Sequence, residues 1–283
     1  MSLKLIQKFG GWTASLGACA MLAGCINNPH GEREMLAAPT GLSDAYSQAQ
    51  LQFKLATTKD LGGACDHSGC TEYAQFDERV ARLGAGLAVA AYRRYPDLAQ
   101  RVPAFDFSVV DKAESGTGST ARGVVVVLRP VAAIARSDEA LSFVLAREIG
   151  HVVAQHHEEN TGTSLIVSLI ATLLAPVTEV LKVLASVYSG ATAAAASASV
   201  TAASFASSKV LVASYRPRQL DESDKIALTL LGSTGVGVRD VASGFSQAML
   251  QTKDDPWIVD LRRSIEGLTV PARRVSTVLP PAL

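Results

Sequence analysis

Arg147, Glu148 and His151 lie together in the stretch Phe143-Val144-Leu145-Ala146-Arg147-Glu148-Ile149-Gly150-His151-Val152-Val153-Ala154-Gln155-His156. Positions 147 and 151 are four apart, so on an α-helix both side chains face one way, with Glu148 beside them. Two histidines at that spacing bind zinc, and the intervening glutamate polarises the zinc-bound water. Here the first position is an arginine, whose guanidinium stays protonated and has no lone pair to give. On its own such a string is ordinary for a solvated helix face. A later acidic run, Leu220-Asp221-Glu222-Ser223-Asp224, could bring carboxylates to the same place. Asp221 or Glu222 would restore a ligand if their helix is rotated toward His151. His156 and His157 are further donors, but on a continuous helix His156 stands about 140° around from His151, and neither replaces a residue at i−4.

The elements that must position these groups read as follows. Ser137 is a helix N-cap with Asp138 and Glu139 in the first turn, and Leu141, Val144, Leu145, Ile149 and Val152 trace one helix to about His157. Ser43 to Lys59 reads as a helix, and Phe76, Val80, Leu83 and Leu87 mark another that runs to about Arg94. Phe105–Val110 and Val124–Leu128 read as strands, joined through a flexible loop at Glu114-Ser115-Gly116-Thr117-Gly118-Ser119. Leu220–Leu231 and Val241–Leu250 read as helices. Ser164 to Ala175 is apolar but only 12 residues long, too short to cross a bilayer unaided, and fits a buried helix or a membrane-facing flap. Gly190 to Ser208 is rich in Ala, Ser and Thr, compatible with close helix packing, with flexibility, or with a cover over the cleft.

With 283 residues, 48% hydrophobic and 18% charged, the chain can bury a large core. No basic stripe or aromatic-basic interleaving is present, which removes the electrostatic case for nucleic acid. Residues 1–24 read as a lipoprotein signal peptide: Lys4 and Lys8, then a short apolar segment from Trp12 to Ala23. That segment ends Leu22-Ala23-Gly24-Cys25, which resembles the lipobox of bacterial lipoproteins and implies that Cys25 is lipidated. Removal of the leader would leave a net charge of about −2. Ile26 after the cysteine points to the outer membrane, with the protein facing the periplasm of a bacterial cell envelope. Residues 25–42 read as a lipidated tether that anchors without spanning, residues 43–270 as the domain, and 271–283 as an extended tail. Cys65 and Cys70 flank a short Gly-containing turn and suit a disulfide in an oxidising compartment.

The order of these features resembles metallopeptidase family 48, which includes HtpX, the BepA-like proteases and the CAAX prenyl proteases. Phe105–Val110, the Gly-led strand Gly123–Leu128, Val131–Ala135, Asp138-Glu139-Ala140 and Leu145–His156 follow in the family's sequence. The run beginning at Leu220, 69 residues after His151, matches the family's second ligand-bearing helix, and Asp255-Pro256 echoes its later His-Pro. The resemblance implies an α+β fold: a mostly helical, zincin-like domain with a small sheet bordering the cleft and Val124–Leu128 at its edge. It implies Glu148 as general base and His151 as a zinc ligand. It places Arg147 and Leu220 where two further ligands belong, and makes Asp224 a supporting residue. Arg147 could instead pair with Glu148 and Asp224 and hold the site without metal. Three functions stay open on these residues: a degenerate member that binds unfolded or outer-membrane polypeptides without efficient cleavage, an active zinc endopeptidase of envelope protein quality control, or a structural envelope lipoprotein.

Overall fold

The computed structural model describes residues 24–27, 34–62, 67–174, 217–251 and 255–269. At its centre is the helix α5, Asp138–Val153, in which every residue from Ala140 to Val153 is buried. Its start is as predicted: the Ser137 hydroxyl accepts the Ala140 N–H at 3.2 Å, and Asp138 and Glu139 place negative charge in the first turn. Around α5 stand α2 (His67–Arg94), α7 (Pro217–Ser233) and α10 (Pro256–Thr269). The core joins Val80, Leu87 and Ala91 of α2 to Leu141, Leu145 and Ile149 of α5, and to Ile226, Ala227 and Leu230 of α7. Each fully buried Val, Leu or Ile contributes roughly 1.5–3 kcal/mol, so α5 is the most firmly held element. The α5–α7 crossing is tight at one point, where a Cβ on Gly150 would meet the Ser223 carbonyl oxygen at 2.7 Å. Glycine is what allows that approach.

The remaining described elements are β1 (Gly24–Asn27), β2 (Glu34–Ala37), α1 (Thr40–Thr57), α3 (Leu98–Arg101), β3 (Asp106–Val110), β4 (Thr117–Ser119), β5 (Val124–Leu128), α4 (Val131–Ile134), α6 (His156–Leu174), α8 (Val238–Ser243) and α9 (Gln247–Leu250). The main sheet has the order β3-β5-β4, with β3 parallel and β4 antiparallel to β5. This corrects the expectation that Val124–Leu128 is the edge. That strand is central, and its residues 125–128 are buried, as an unbroken valine run suits. The edges are β3 and β4, the latter inside the segment expected to be a flexible loop. Gly123, at φ 90, turns the chain back so that Thr120 N–H reaches the Val124 carbonyl at 2.9 Å.

Two other differences concern helix ends and the N-terminal part. The helix expected to run to His157 stops at Val153, because Gln155 takes a left-handed conformation (φ 58) and α6 starts anew at His156. The helix expected over Val241–Leu250 is split at Gly244, whose carbonyl accepts from Arg136 N at 2.9 Å. Residues 34–42, expected as tether, are folded on the body: β2 pairs with β1, and Ala38 N–H donates to the Glu158 carbonyl at 3.0 Å. Among the described residues no helix is long and apolar enough to cross a membrane. Residues 1–23, Gly190 to Ser208 and the tail from Pro271 lie outside the described residues.

Candidate functional site

Arg147 points from α5 to α7, where its Nε donates to Asp224 Oδ1 at 2.6 Å. The pair is nearly dry, with side-chain exposures of 7% and 15%. Glu148, the other partner foreseen for Arg147, is engaged elsewhere. Its Oε1 accepts from Thr117 Oγ1 at 2.5 Å and its Oε2 from Ser119 Oγ at 2.7 Å. Residues i and i+2 of a strand face the same side, so β4 presents two hydroxyls to one carboxylate. Thr117 Oγ1 also accepts from Trp257 Nε1 at 3.1 Å. Trp257 is set by the start of α10, where Asp255 Oδ1 accepts from the N–H groups of Trp257 at 3.0 Å and Ile258 at 3.2 Å, and Pro256 opens the helix. Asp255 is therefore a helix N-cap.

The break at Gln155 changes the geometry of the histidines. Because α6 starts on a new axis, the His156 ring comes back to His151, Nδ1 to Nδ1 at 2.8 Å. The 140° separation expected on a continuous helix does not apply. His156 Nε2 lies 3.0 Å from Glu222 Oε2. A carboxylate accepts, so His156 Nε2 carries a hydrogen, and of the two facing Nδ1 atoms one donates to the other. His157 turns the other way, its Nε2 3.1 Å from Ser119 Oγ. Since the Ser119 hydrogen goes to Glu148, His157 is the donor there. Burial pushes the His157 imidazole down to about 3, helped by the neighbouring His156 and Arg101. Burial also holds His151 well below the ordinary histidine value, with His156 and Arg147 acting in the same direction. Both rings are neutral at pH 7.

The acidic run on α7 spreads over three surroundings. Asp224 faces Arg147, while Glu222 faces His156, with Arg218 Nε 3.8 Å from its second oxygen. Asp221 is exposed and lines an open groove with Arg94, Arg101, Gln155, Arg218 and Lys225. Leu220 is buried. Asp260 of α10 has its carboxyl raised by burial, against the opposing charges of Arg147 and Arg263. Thr117, Ser119 and Trp257 belong to the site and were not picked from sequence, whereas His156 and His157 were weighed there as further donors. The signal for the first two was the hydroxyl alternation Thr-Gly-Ser, legible only if that segment is a strand. Far from the site, Cys25 is exposed and pairs with Leu36 across the β1–β2 ladder. Cys70 is disulfide-bonded, and Cys65 lies outside the described residues.

A catalytic zinc needs three protein ligands and an open position. His151 is one suitable donor. Arg147 and Leu220 offer none. Glu222 and His151 contact opposite nitrogens of the His156 ring, so one ion cannot take all three residues as ligands. Among the described residues no three His, Cys, Asp or Glu groups are placed to hold a metal. The donor set does not fit a catalytic zinc. No curated protein and no solved structure matches this chain. The model of peptidase family M48 matches residues 79–258, well over half of the chain, and takes in β3, β5, α5 and α7 in order. By that match and by its mostly helical α+β architecture, the chain belongs to peptidase family M48.

Proposed function

We propose that this chain is a degenerate metallopeptidase that binds unfolded or outer-membrane polypeptides without cleaving them efficiently. The observation that carries this reading is the Arg147–Asp224 pair. A fixed guanidinium stands at the first ligand position of the family's motif and is held there by the aspartate that would otherwise support the site. Glu148 keeps its place, yet its two oxygens are tied to Thr117 and Ser119, which fixes the carboxylate against β4. Without an electrophile to activate water or polarise a carbonyl, a carboxylate alone supplies little toward amide hydrolysis. What persists is the strand β4 beside Glu148, a sheet edge of the kind that receives extended polypeptide once uncovered.

On the same reading the protein is lipid-anchored through Cys25 and faces the periplasm from the outer membrane, in envelope protein quality control. Cys25→Ala should leave it unprocessed or unanchored, and unchanged membrane fractionation of that variant would remove the anchor from the account. The deciding measurement is the zinc content of the purified protein together with its action on an unfolded substrate. Far less than one zinc per chain and no cleavage are expected. Stoichiometric zinc with chelator-sensitive proteolysis, abolished by Glu148→Gln, would replace this reading with an active zinc endopeptidase using Glu148 as general base.

A further inference from the structure

Of the two edge strands of the main sheet, β3 is largely open and β4 is buried. Thr117, Ser119, Thr120 and Ala121 are all 8% exposed or less, although β4 has a neighbour on one side only. Its main-chain groups alternate. Gly116 O and Thr120 N bond toward β5, so Thr117 and Ser119 turn their N–H and C=O groups away from it. The cover on that side is α1, which runs antiparallel to the strand and uses one face. Ser47 Oγ accepts from Ala121 N at 3.1 Å, Leu51 Cδ1 lies 3.0 Å from the Cβ position of Gly118, and Lys54 Nζ donates to the Thr117 carbonyl at 3.2 Å. The Thr58 hydroxyl reaches Glu114 Oε2 at 3.5 Å just beyond.

The cover is weakly built. The buried residues of α1 are Ser43 and Ser47, with Leu51 half-buried beside them, so the inward face is largely polar, in contrast to the apolar faces of α5. The two helices α1 and α6 are in contact, and among the described residues Asp44 Oδ1 of α1 and Glu158 Oε2, Thr161 Oγ1 and Ser164 Oγ of α6 are buried polar atoms with no hydrogen-bond partner. A contact that buries polar atoms without pairing them is poorly matched and opens at low cost. Both ends are fastened: Ala38 N–H to the Glu158 carbonyl on one side, Leu61 N–H to the Asp111 carbonyl at 3.1 Å on the other. The middle is the part that can lift.

We infer that α1 is a strap across β4 that shuts the sheet edge to an extended polypeptide until it lifts, and that the Thr117 and Ser119 main chain then pairs with that polypeptide as an added strand. This deepens the polypeptide-binding reading and rests on it. The test uses the full chain and the double variant Leu51→Ser/Lys54→Ala, with Lys54→Arg, which keeps a donor, as the conservative control. Hydrogen exchange at Thr117 and Ser119 should speed up about 10-fold in the double variant while α5 stays protected. Binding of a fluorescent alternating Val-Thr peptide should tighten about 10-fold, since a larger fraction of molecules is competent. The same peptide with proline at alternate positions should not bind, and Lys54→Arg should behave as wild type. Should the double change loosen α5 as well, Lys54→Ala alone carries both readouts. Unchanged exchange in β4 would overturn the strap and leave the polypeptide-binding reading standing. Exposed β4 amides with no gain in peptide binding would overturn both.

Discussion

Arg147 brings a permanent charge into a place closed to water, and Asp224 is what makes that tolerable. Removing one member of a buried pair leaves the other uncompensated, so Arg147→Met should cost about 3 kcal/mol in urea denaturation, at the low end because Asp224 keeps some solvent. Arg147→Met/Asp224→Leu should recover much of that loss, and simple additivity of the two single changes would argue against a coupled pair. Rebuilding the metal centre tests the same residues from the other side. Arg147→His/Leu220→Glu supplies two donors beside His151 and should gain zinc, measured by metal analysis after dialysis. No gain would mean that the His151–His156 contact holds the ring out of reach. Arg147, Glu148, His151 and Asp224 were legible because several motifs follow in the family's order; the four-residue spacing alone is ordinary for a solvated helix face. The partners of Glu148 and His151 were not, since they arrive from a strand and a turn that spacing does not reveal.

At the level of elements, sequence and structure agree best where local chemistry decides. The cap at Ser137, the apolar stripe of α5, and the strands β3 and β5 all have local signals. They part where tertiary contacts decide: β4 is three residues long and contains a glycine, and it is a strand only because the turn at Gly123 lays it against β5. Gln155 offers no sequence warning of its left-handed turn, yet that one residue redirects α6 and brings His156 to His151. The α5–α7 crossing gives a direct test. Alanine is the better helix former than glycine by about 1 kcal/mol. At Gly150, however, its methyl would press on the Ser223 backbone oxygen, and overpacking costs roughly 1–3 kcal/mol. Gly150→Ala should therefore lower the denaturation midpoint; a raised midpoint would mean that α7 can slide away.

For the molecule as a whole, the buried histidines tie stability to pH. Below about 6.5 the unfolded chain takes up protons at His157 that the folded chain refuses until about 3, so stability falls as pH drops through that window. The slope approaches about 1.4 kcal/mol per pH unit for each such group, with His151 acting in the same sense. Glu158 works against them, because burial raises its carboxyl and the folded chain gains by protonating it. Urea midpoints from pH 7.5 to pH 5 should decline, and His157→Gln should flatten the decline; a flat wild-type profile would contradict the neutral, buried rings. The Arg147–Asp224 pair carries one more consequence. A bound metal stabilises a fold by mass action, so its contribution rises and falls with the metal supply and vanishes under a chelator. A cation carried by the chain itself has no such dependence. The fold should keep the same melting temperature through metal starvation, a constancy that no site filled from solution can match.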